Sequence, residues 1–255
     1  MTHITDMTEN QEVLITIEQG IMSITLNRPE KKNALTNEMY QSIVTALKHG
    51  ASDDQVRVVL FSGKGDSFTA GNDIADFLKA GGTKIHDLAV GKLILTMESY
   101  KKPIVAAVQG NAIGIGTTLL LHCDLVVAAK ESRFALPFVK LGLCPEAGSS
   151  MLLPKLVGYQ QAAELLFLGE PFDAEKAEKM GLINRLVDTK EVKLQALALC
   201  QKLTALPEDA LLATKALLKA PEENLRDRIF KEFKDFDRLL KSKDAKRIFQ
   251  AFLAK

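Results

Sequence analysis

Two glycine-bearing turns are the segments of this sequence whose residue types are best suited to hold a ligand. The first covers residues 67–74 and the second residues 110–116, and each follows a predicted buried strand. Glycine has no side chain and adopts unusual backbone dihedrals, so both turns are able to bring free backbone N–H groups close to a ligand. Neither is a dinucleotide-binding fingerprint, because no glycine stands three positions after Gly116. On the glycines alone, two ordinary turns between a strand and a helix remain an open interpretation.

The ionisable side chains form no pattern that identifies a nucleophile or a metal site. His122 lies in an apolar stretch, which is typical of a core histidine, and Glu146 by itself is typical of a surface residue at the start of a helix. Three other histidines share no spacing with a nucleophile or with metal ligands: His3, His49 and His86. The three cysteines are odd in number and lack metal-ligand spacing, which favours reduced thiols: Cys123, Cys144 and Cys200.

Length, charge and hydropathy narrow the class of protein further. A chain of 255 residues with 47% hydrophobic content is able to bury a sizeable core, and we expect one main domain. Lys and Arg number 33 against 32 Asp and Glu, so no charge excess indicates a nucleic-acid or membrane-surface partner, and any anionic ligand must be bound by local groups. The most apolar segment, residues 112–129, is interrupted by glycines, His122 and Asp124, which predicts a buried turn, helix and strand.

Strand and helix patterns alternate around the two turns. In chain order, the predicted elements are a hairpin at residues 13–26, a helix that begins at the Thr36 cap, a buried strand at 56–61, a helix at 88–99, a strand at 104–108, a helix from about Gly116 and a strand at 125–129. The helix after Thr36 has one apolar face, formed by Met39, Ile43, Val44 and Leu47. After Ala147 the pattern is mainly helical, with one extended piece at 182–187. Such alternation predicts an α/β fold, and amphipathic segments beyond Glu191 predict a helical tail.

Several longer motifs resemble the enoyl-CoA hydratase/isomerase (crotonase) family in order and spacing. They are Asn27-Arg28-Pro29-Glu30-Lys31-Lys32-Asn33-Ala34-Leu35, Phe68-Thr69-Ala70-Gly71-Asn72-Asp73-Ile74, Pro103-Ile104-Val105-Ala106-Ala107-Val108-Gln109-Gly110 and Pro145-Glu146-Ala147-Gly148-Ser149-Ser150. The resemblance implies an α/β, crotonase (ClpP-like) spiral of repeated strand-strand-helix units with a C-terminal helical trimerisation region. It divides the chain into a spiral core with the acyl-CoA site, residues 1–190, and a helical oligomerisation region, residues 191–255.

The resemblance also implies that two backbone N–H groups hold the thioester carbonyl oxygen of an acyl-CoA. Carried over by position, these donors are the N–H of Asn72 and the N–H of Ile115. Removing a proton beside a thioester builds negative charge on the carbonyl oxygen, and each preorganised donor is worth roughly 3 to 4 kcal/mol. A helix N-terminus behind Ile115 is expected to add a partial positive charge.

One glutamate remains as the expected base. In hydratases of this family two glutamates position and activate water, and this sequence has Thr118 and Phe138 at those places, so the usual hydration scheme is not expected. The motif around Glu146 resembles the peroxisomal-type 3-enoyl-CoA to 2-enoyl-CoA isomerases, in which one glutamate takes a proton from carbon 2 and returns it at carbon 4. We expect apolar walls from Phe138, Leu141 and Leu143 to raise the basicity of Glu146.

The resemblance further assigns residues that bind the CoA part of the substrate. They are Lys32, Ala34, Ala70, Gly71, Asp73, Ile74 and Gly114, joined by Phe252 and Lys255 from a tail that covers the CoA of a neighbouring subunit. Asp73 is expected to cap and brace the first turn and not to act as a base. We expect an acyl-CoA as partner, no metal or other cofactor, no nucleic acid or membrane, and a homo-oligomer that is a trimer or a dimer of trimers.

The sequence thus predicts an enzyme that isomerises 3-enoyl-CoA to 2-enoyl-CoA in fatty-acid β-oxidation, with Glu146 as the proton shuttle. Two alternatives stay open at this point, an atypical enoyl-CoA hydratase and a catalytically silent acyl-CoA binding subunit. The N-terminal residues lack the basic and apolar regions of a signal peptide, and the last residues do not match the Ser-Lys-Leu peroxisomal address. The expected location is therefore the cytoplasm.

Overall fold

The computed structural model describes residues 11–79 and 84–220, together with isolated positions between 227 and 247. The strands in these ranges are β1 (Val13–Glu18), β2 (Ile21–Leu26), β3 (Val58–Gly63), β4 (Ile104–Val108), β5 (Asn111–Ile113), β6 (Leu125–Ala129), β7 (Arg133–Ala135), β8 (Phe172–Asp173) and β9 (Arg185–Val187). The α-helices are α1 (Asn37–Ser52), α2 (Ile74–Lys79), α3 (Ala89–Glu98), α4 (Ile115–Thr118), α5 (Ser149–Val157), α6 (Tyr159–Leu168), α7 (Ala174–Lys179), α8 (Val192–Thr204) and α9 (Glu208–Lys219).

A six-stranded sheet with the order β1-β2-β3-β4-β6-β9 forms the centre of the fold. β1 and β2 pair antiparallel as the predicted hairpin, and the turn between them places Gln19 and Gly20 at positive φ. The other neighbours pair in parallel, which requires crossover connections that carry the helices over the faces of the sheet. The predicted α/β alternation is confirmed for this part of the chain.

Both faces of the central strands are covered. In β3, Val59 and Phe61 belong to the large apolar cluster that includes α1 and α3, whereas Val58 and Leu60 belong to a second cluster with α8. Successive side chains of a strand point to opposite faces, so a continuous apolar run is what a strand buried on both sides needs. α8, the first helix of the predicted C-terminal region, thus packs on the outer face of the sheet.

The start of α1 is fixed by its cap. The side-chain oxygen of Thr36 accepts a hydrogen bond from the N–H of Met39 at 3.3 Å, which satisfies one of the unpaired donors of the first turn. The predicted apolar face is buried throughout: Met39, Ile43, Val44 and Leu47. Thr36 therefore sets where the helix begins, directly after the segment that contacts the first glycine-bearing turn.

A small second sheet, β5-β7-β8, was not predicted from the sequence. β5 and β7 have three residues each and β8 has two, so none is long enough to show an alternating pattern. Two isolated parallel bridges connect neighbouring segments: Leu35 with Asn72, and Thr69 with Ala112. These short pairings bring the two glycine-bearing turns to the same end of the large sheet.

Three expectations need correction in detail. The helix expected after Gly116 is α-helical only over Ile115–Thr118 and continues as a 3₁₀ turn, Leu119–His122. The extended piece expected at 182–187 is a strand only at Arg185–Val187, and the N–H of Leu182 instead donates to the carbonyl oxygen of Ala177 in α7. The strand expected at 56–61 is Val58–Gly63. The division of the chain at residue 190 stays a prediction.

Candidate active site

The first glycine-bearing turn presents the backbone N–H of Asn72. In the bridge with Leu35, the N–H of Leu35 donates to the Gly71 carbonyl oxygen at 2.8 Å, and the N–H of Asp73 donates to the Leu35 carbonyl oxygen at 2.9 Å. Because alternate groups of an extended segment point to opposite sides, the Asn72 N–H faces away from Leu35. No backbone acceptor within the described residues takes a hydrogen bond from it. The donor is thus held in place and left free.

Asp73 braces this turn. One carboxylate oxygen accepts a hydrogen bond from Arg28 Nη1 at 2.7 Å, and the other accepts from the N–H of Asp76 at 3.1 Å. Arg28 Nη1 also donates to the Ala34 carbonyl oxygen at 3.1 Å. The hydrogen bond from Arg28 holds the pKa of Asp73 below its usual value, so Asp73 is ionised and paired. This arrangement suits a brace and does not suit a base.

The second turn presents the backbone N–H of Ile115. Gly114, with φ +57°, reverses the chain just before α4, and its carbonyl oxygen accepts from the N–H groups of Thr117 and Thr118. Ile115 is the first residue of α4, a position whose N–H has no intrahelical acceptor. Its side chain is buried in the core, so only its backbone faces the turn. With four residues in α4, the expected helix-dipole contribution is small, because aligned peptides are few.

The two turns pack directly against each other. The N–H of Thr69 donates to the Asn111 carbonyl oxygen at 2.9 Å, and the N–H of Ile113 donates to the Thr69 carbonyl oxygen at 3.1 Å. At Gly71, where φ is +92°, an added Cβ atom would lie 2.8 Å from the carbonyl oxygen of Ile113. Glycine is therefore required at this position for both its dihedral and the close approach of the two backbones.

Glu146 lies in the loop before α5, and its two carboxylate oxygens differ. Oε1 accepts a hydrogen bond from the hydroxyl group of Thr118. Oε2 is buried and has no hydrogen-bond partner among the described residues. Burial raises the pKa of Glu146, and the hydrogen bond from Thr118 opposes this rise. A buried carboxylate oxygen without a partner is energetically costly, so it marks a functional site more often than a structural one.

The backbone around Glu146 is held by two polar side chains. Ser149 donates to the Glu146 carbonyl oxygen through its N–H at 3.0 Å and through its hydroxyl at 2.6 Å. His122 Nε2 lies 2.8 Å from the carbonyl oxygen of Ala147. A carbonyl only accepts, so Nε2 carries the proton. Ala147 has φ +54°, and this hydrogen bond stabilises the left-handed conformation that alanine otherwise disfavours.

Comparisons with known proteins identify the family of this chain. Residues 16–255 match the family described as enoyl-CoA hydratase/isomerase. The chain belongs to the enoyl-CoA hydratase/isomerase family. The expected crotonase fold is confirmed by solved structures of that family.

The similar proteins of this family include both isomerases and hydratases. Enoyl-CoA delta isomerase 2 of Rattus norvegicus is 37% identical over 220 residues, 84% of this chain and 56% of the rat protein, so the chain spans about half the length of that relative. The 1,2-epoxyphenylacetyl-CoA isomerase of Escherichia coli (strain K12) is 34% identical over 250 residues, 95% of each chain. A candidate enoyl-CoA hydratase/carnithine racemase structure from Magnetospirillum magneticum AMB-1 has a TM-score of 0.93 at 44% identity, covering 96% of each chain. Relatives at 31% and 30% identity are named as hydratases.

Thr118 and Phe138, which the resemblance places where hydratases have glutamates, are both buried. Thr118 is fully buried and directs its hydroxyl to Glu146, and Phe138 is buried. Of the three residues expected to form apolar walls around Glu146, Phe138 is buried, whereas Leu141 and Leu143 are 57% and 50% exposed in the single chain.

The structure brings most of the expected CoA-binding residues together. The N–H of Ala70 donates to the Lys32 carbonyl oxygen at 2.9 Å, and Ala34, Gly71 and Asp73 belong to the contacts already described. Lys32 is exposed and has φ +50°, and Ile74, the first residue of α2, is 62% exposed. Gly114 lies in the second turn. Phe252 and Lys255 lie outside the described residues.

Tyr40 is a site residue that the sequence reasoning missed. Its hydroxyl group donates to Oδ1 of Asn72, and only 3% of the residue is exposed. Burial and the negative charge of Glu146 raise the pKa of the Tyr40 phenol well above its usual value. The only signal in the sequence is that Tyr40 follows the Thr36 cap by one helical turn, on the apolar face of α1.

The part of the chain that the structure describes has neither a metal-binding cluster nor a membrane-spanning helix. No three His, Cys, Asp or Glu side chains in this part of the chain are grouped so that they could hold a metal ion. None of the helices described is both long and apolar enough to cross a membrane. The expected absence of a cofactor and the expected cytoplasmic location stay predictions.

Proposed function

We propose that this member of the enoyl-CoA hydratase/isomerase family converts 3-enoyl-CoA to 2-enoyl-CoA. The observation that carries the proposal is the asymmetry of the Glu146 carboxylate. Thr118 holds Oε1, while Oε2 is buried and has no partner among the described residues. One carboxylate oxygen that is fixed and one that is free suit a group that takes up a proton and returns it elsewhere.

The proposed reaction uses Glu146 as both base and acid. Ionised Glu146 removes a proton from carbon 2 of the substrate, and the electron pair of the C–H bond delocalises over the carbon 3–carbon 4 double bond and the thioester. The resulting dienolate carries its charge mainly on the thioester oxygen. The protonated Glu146 then gives the proton to carbon 4, which places the double bond between carbons 2 and 3 and restores the ionised carboxylate.

The backbone N–H groups of Asn72 and Ile115 are the proposed donors to the thioester oxygen. Each is free of backbone acceptors within the described residues, and the close approach of Gly71 to Ile113 fixes their turns relative to each other. Preorganised donors stabilise the dienolate more than the neutral thioester, because charge develops on the oxygen only as the proton leaves. Removal of one such donor is expected to lower kcat by about 10²-fold or more.

Base and donor are connected through one helical turn. Thr118, which holds Glu146, is the last residue of α4, and Ile115 is the first. The single turn of helix therefore sets where Oε2 and the Ile115 N–H lie relative to each other. Hydration of a 2-enoyl-CoA by the usual scheme needs a second carboxylate to activate water, and Thr118 and Phe138 stand at the two aligned positions.

The test of this proposal is incubation of the purified protein with a 3-enoyl-CoA and, separately, with a 2-enoyl-CoA. Chromatography and mass spectrometry follow the products. Conversion of the 3-enoyl-CoA to a 2-enoyl-CoA of unchanged mass supports the isomerase. Addition of water to the 2-enoyl-CoA as the dominant reaction would favour the atypical hydratase. Binding without either reaction would favour a silent acyl-CoA binding subunit.

We also propose that the chain forms a homo-oligomer, either a trimer or a dimer of trimers. α5 and α6 expose several large apolar side chains in the single chain: Met151, Leu156, Tyr159, Phe167 and Leu168. Apolar surface of this extent is typical of an interface between subunits. Light scattering should give a particle mass of three or six times the 28.0 kDa chain, whereas a monomer would contradict the proposal.

A further inference from the structure

Two residues of the segment 35–40, Leu35 and Tyr40, hold Asn72 in place. The backbone of Leu35 bonds to the groups on either side of Asn72, at Gly71 and Asp73. Five residues further on, the hydroxyl of Tyr40 donates to the side-chain oxygen of Asn72. The Thr36 cap fixes the start of α1 between these two contacts. Backbone and side chain of Asn72 are therefore both restrained by the entry to α1.

The contact with Tyr40 restrains the side chain of Asn72, whereas Leu35 bonds only to the backbone on either side of Asn72. Nδ2 of Asn72 makes no hydrogen bond within the described residues, so Oδ1 is the only side-chain atom of Asn72 with a polar partner there. The side chain shares its Cα with the backbone N–H that faces away from Leu35. The N–H of Asn72 lies in the same peptide plane as the Gly71 carbonyl that bonds to Leu35. A fixed side chain adds to this restraint, because it limits rotation about the backbone bonds of Asn72.

The chemistry of Tyr40 suits a permanent donor. Its hydroxyl is buried, and ionisation beside the carboxylate of Glu146 would place two negative charges in the same buried region, so burial and Glu146 both raise the pKa of Tyr40. The phenol therefore keeps its proton while Glu146 changes its protonation state. Tyr100 offers a contrast, since its hydroxyl is also buried but has no partner among the described residues.

We propose that Tyr40 is a positioning residue of the isomerase site, which acts through the side chain of Asn72 to align the first oxyanion donor with the thioester oxygen. This inference rests on the proposed function for its kinetic consequence. Tyr40 itself does not touch the substrate in this account. Its hydroxyl governs how well the Asn72 N–H stabilises the charge that develops during the reaction, and it contributes little to the binding of the acyl-CoA.

The test compares Tyr40→Phe with Tyr100→Phe as a matched control. Both changes remove one buried phenolic hydroxyl, but only the first breaks a hydrogen bond. We expect Tyr40→Phe to lower kcat about tenfold and to change KM by less than about threefold, because an aligned donor matters most in the transition state. Tyr100→Phe should change neither. Asn72→Ala removes the same contact from its other side, and Tyr40→Phe in that background should have little further effect.

A second measurement does not depend on turnover. The thioester carbonyl of a short saturated acyl-CoA, labelled with ¹³C at the carbonyl carbon, is followed by infrared difference spectroscopy while bound. Wild-type protein should lower the carbonyl frequency relative to free acyl-CoA, and Tyr40→Phe should reverse part of this shift at an unchanged Kd.

The outcomes separate this inference from the proposed function. A Tyr40-dependent carbonyl shift in a protein that does not isomerise 3-enoyl-CoA would support the role of Tyr40 and contradict the isomerase. Unchanged kcat and carbonyl frequency in Tyr40→Phe would overturn the role of Tyr40. Equal losses in Tyr40→Phe and Tyr100→Phe, or a loss of acyl-CoA affinity as large as the loss of kcat, would overturn it as well, since both indicate a merely structural effect.

Discussion

Thr118 donates its hydroxyl hydrogen bond to Oε1 of Glu146, while Oε2 of the same carboxylate has no partner among the described residues. Burial raises the pKa of Glu146, and the Thr118 hydrogen bond lowers it. These two opposing effects set the pH above which Glu146 is ionised and able to take a proton from the substrate.

Replacement of Thr118 should shift the pH dependence of the reaction. Thr118→Val keeps the shape of the side chain and removes the donor, so the pKa of Glu146 should rise further above its usual value. A proposed base must be ionised, so the acidic limb of the profile of kcat/KM against pH should move to higher pH. Thr118→Ser retains the hydroxyl and should keep the wild-type profile. An unmoved acidic limb in Thr118→Val would show that the contact does not tune the base.

Gly71→Ala should damage activity more than its backbone strain alone predicts. The residue has φ +92°, and its Cβ atom would lie 2.8 Å from the Ile113 carbonyl oxygen, which pushes the two donor turns apart. Gly142→Ala is the matched control, because Gly142 has φ +71° and nothing within 4 Å of an added Cβ. Both variants should lose about 1 kcal/mol from backbone strain. Gly71→Ala should lose more than this in urea unfolding, because its Cβ atom also displaces the backbone of Ile113.

Only Gly71→Ala should also lose about 10²-fold in kcat, because both oxyanion donors are displaced. Steady-state kinetics with a 3-enoyl-CoA measure this loss. Equal kinetics in the Gly71→Ala and Gly142→Ala variants would contradict the proposed packing role of Gly71.

His122 should make the fold sensitive to acid. Burial lowers the pKa of His122, and the charge of Lys219 acts in the same direction, whereas the hydrogen bond to Ala147 and the charge of Glu98 oppose the shift. The unfolded chain therefore binds more protons at this residue, so the free energy of unfolding should fall as pH drops below about 6.5. His122→Gln retains an amide donor for the carbonyl oxygen of Ala147. In this variant, the free energy of unfolding from urea curves should lack the part of its pH dependence that comes from His122.

The matched control for His122 is His86→Gln, since His86 lies on the surface with 66% of its side chain exposed. It should follow the wild-type dependence on pH. Parallel curves for wild type and His122→Gln between pH 5 and 7.5, a window set by the usual histidine pKa of about 6.5, would rule out His122 as the source.

The ion pair of Asp73 with Arg28 should stabilise the first turn at neutral pH. Arg28 holds the pKa of Asp73 below its usual value, so this contribution is present above about pH 4 and is lost as the pH falls through the lower folded pKa. Asp73→Asn should cost about 1 kcal/mol or less at pH 7 and remove that acid dependence. Asp188→Asn breaks an exposed pair with Lys130, and its effect should be smaller. A larger effect for Asp188→Asn would argue against Asp73 as a brace.

Parts of the site were predictable because single residues leave strong local signals. Gly71 and Gly114 stand where positive φ is needed, and Thr36 caps a helix whose apolar face has a 3.6-residue period. Glu146 by itself looked like a surface residue, and only the resemblance of its motif to a known family pointed to the carboxylate that the structure leaves half unpaired. These features depend on neighbours in sequence, which a single sequence contains.

Other parts depend on contacts between distant segments. Tyr40 and Asn72 are 32 residues apart, and an aromatic residue on the apolar face of a helix looks like any other core residue until the partner of its hydroxyl is known. The strands of the second sheet are too short to carry a period. Leu141 and Leu143 were expected to bury Glu146, but their 3₁₀ turn and the following loop leave them at the surface.

The measurement that tests the central claim most directly is the turnover of a 3-enoyl-CoA by the Glu146→Gln variant, with binding of a saturated acyl-CoA followed in parallel. The amide keeps the size of the side chain and an oxygen that accepts from Thr118, but it cannot take up the proton. We predict that isomerisation falls about 10³-fold while the Kd of the acyl-CoA is unchanged. Isomerisation that stays within about tenfold of wild type would contradict the assignment of Glu146 as the proton shuttle.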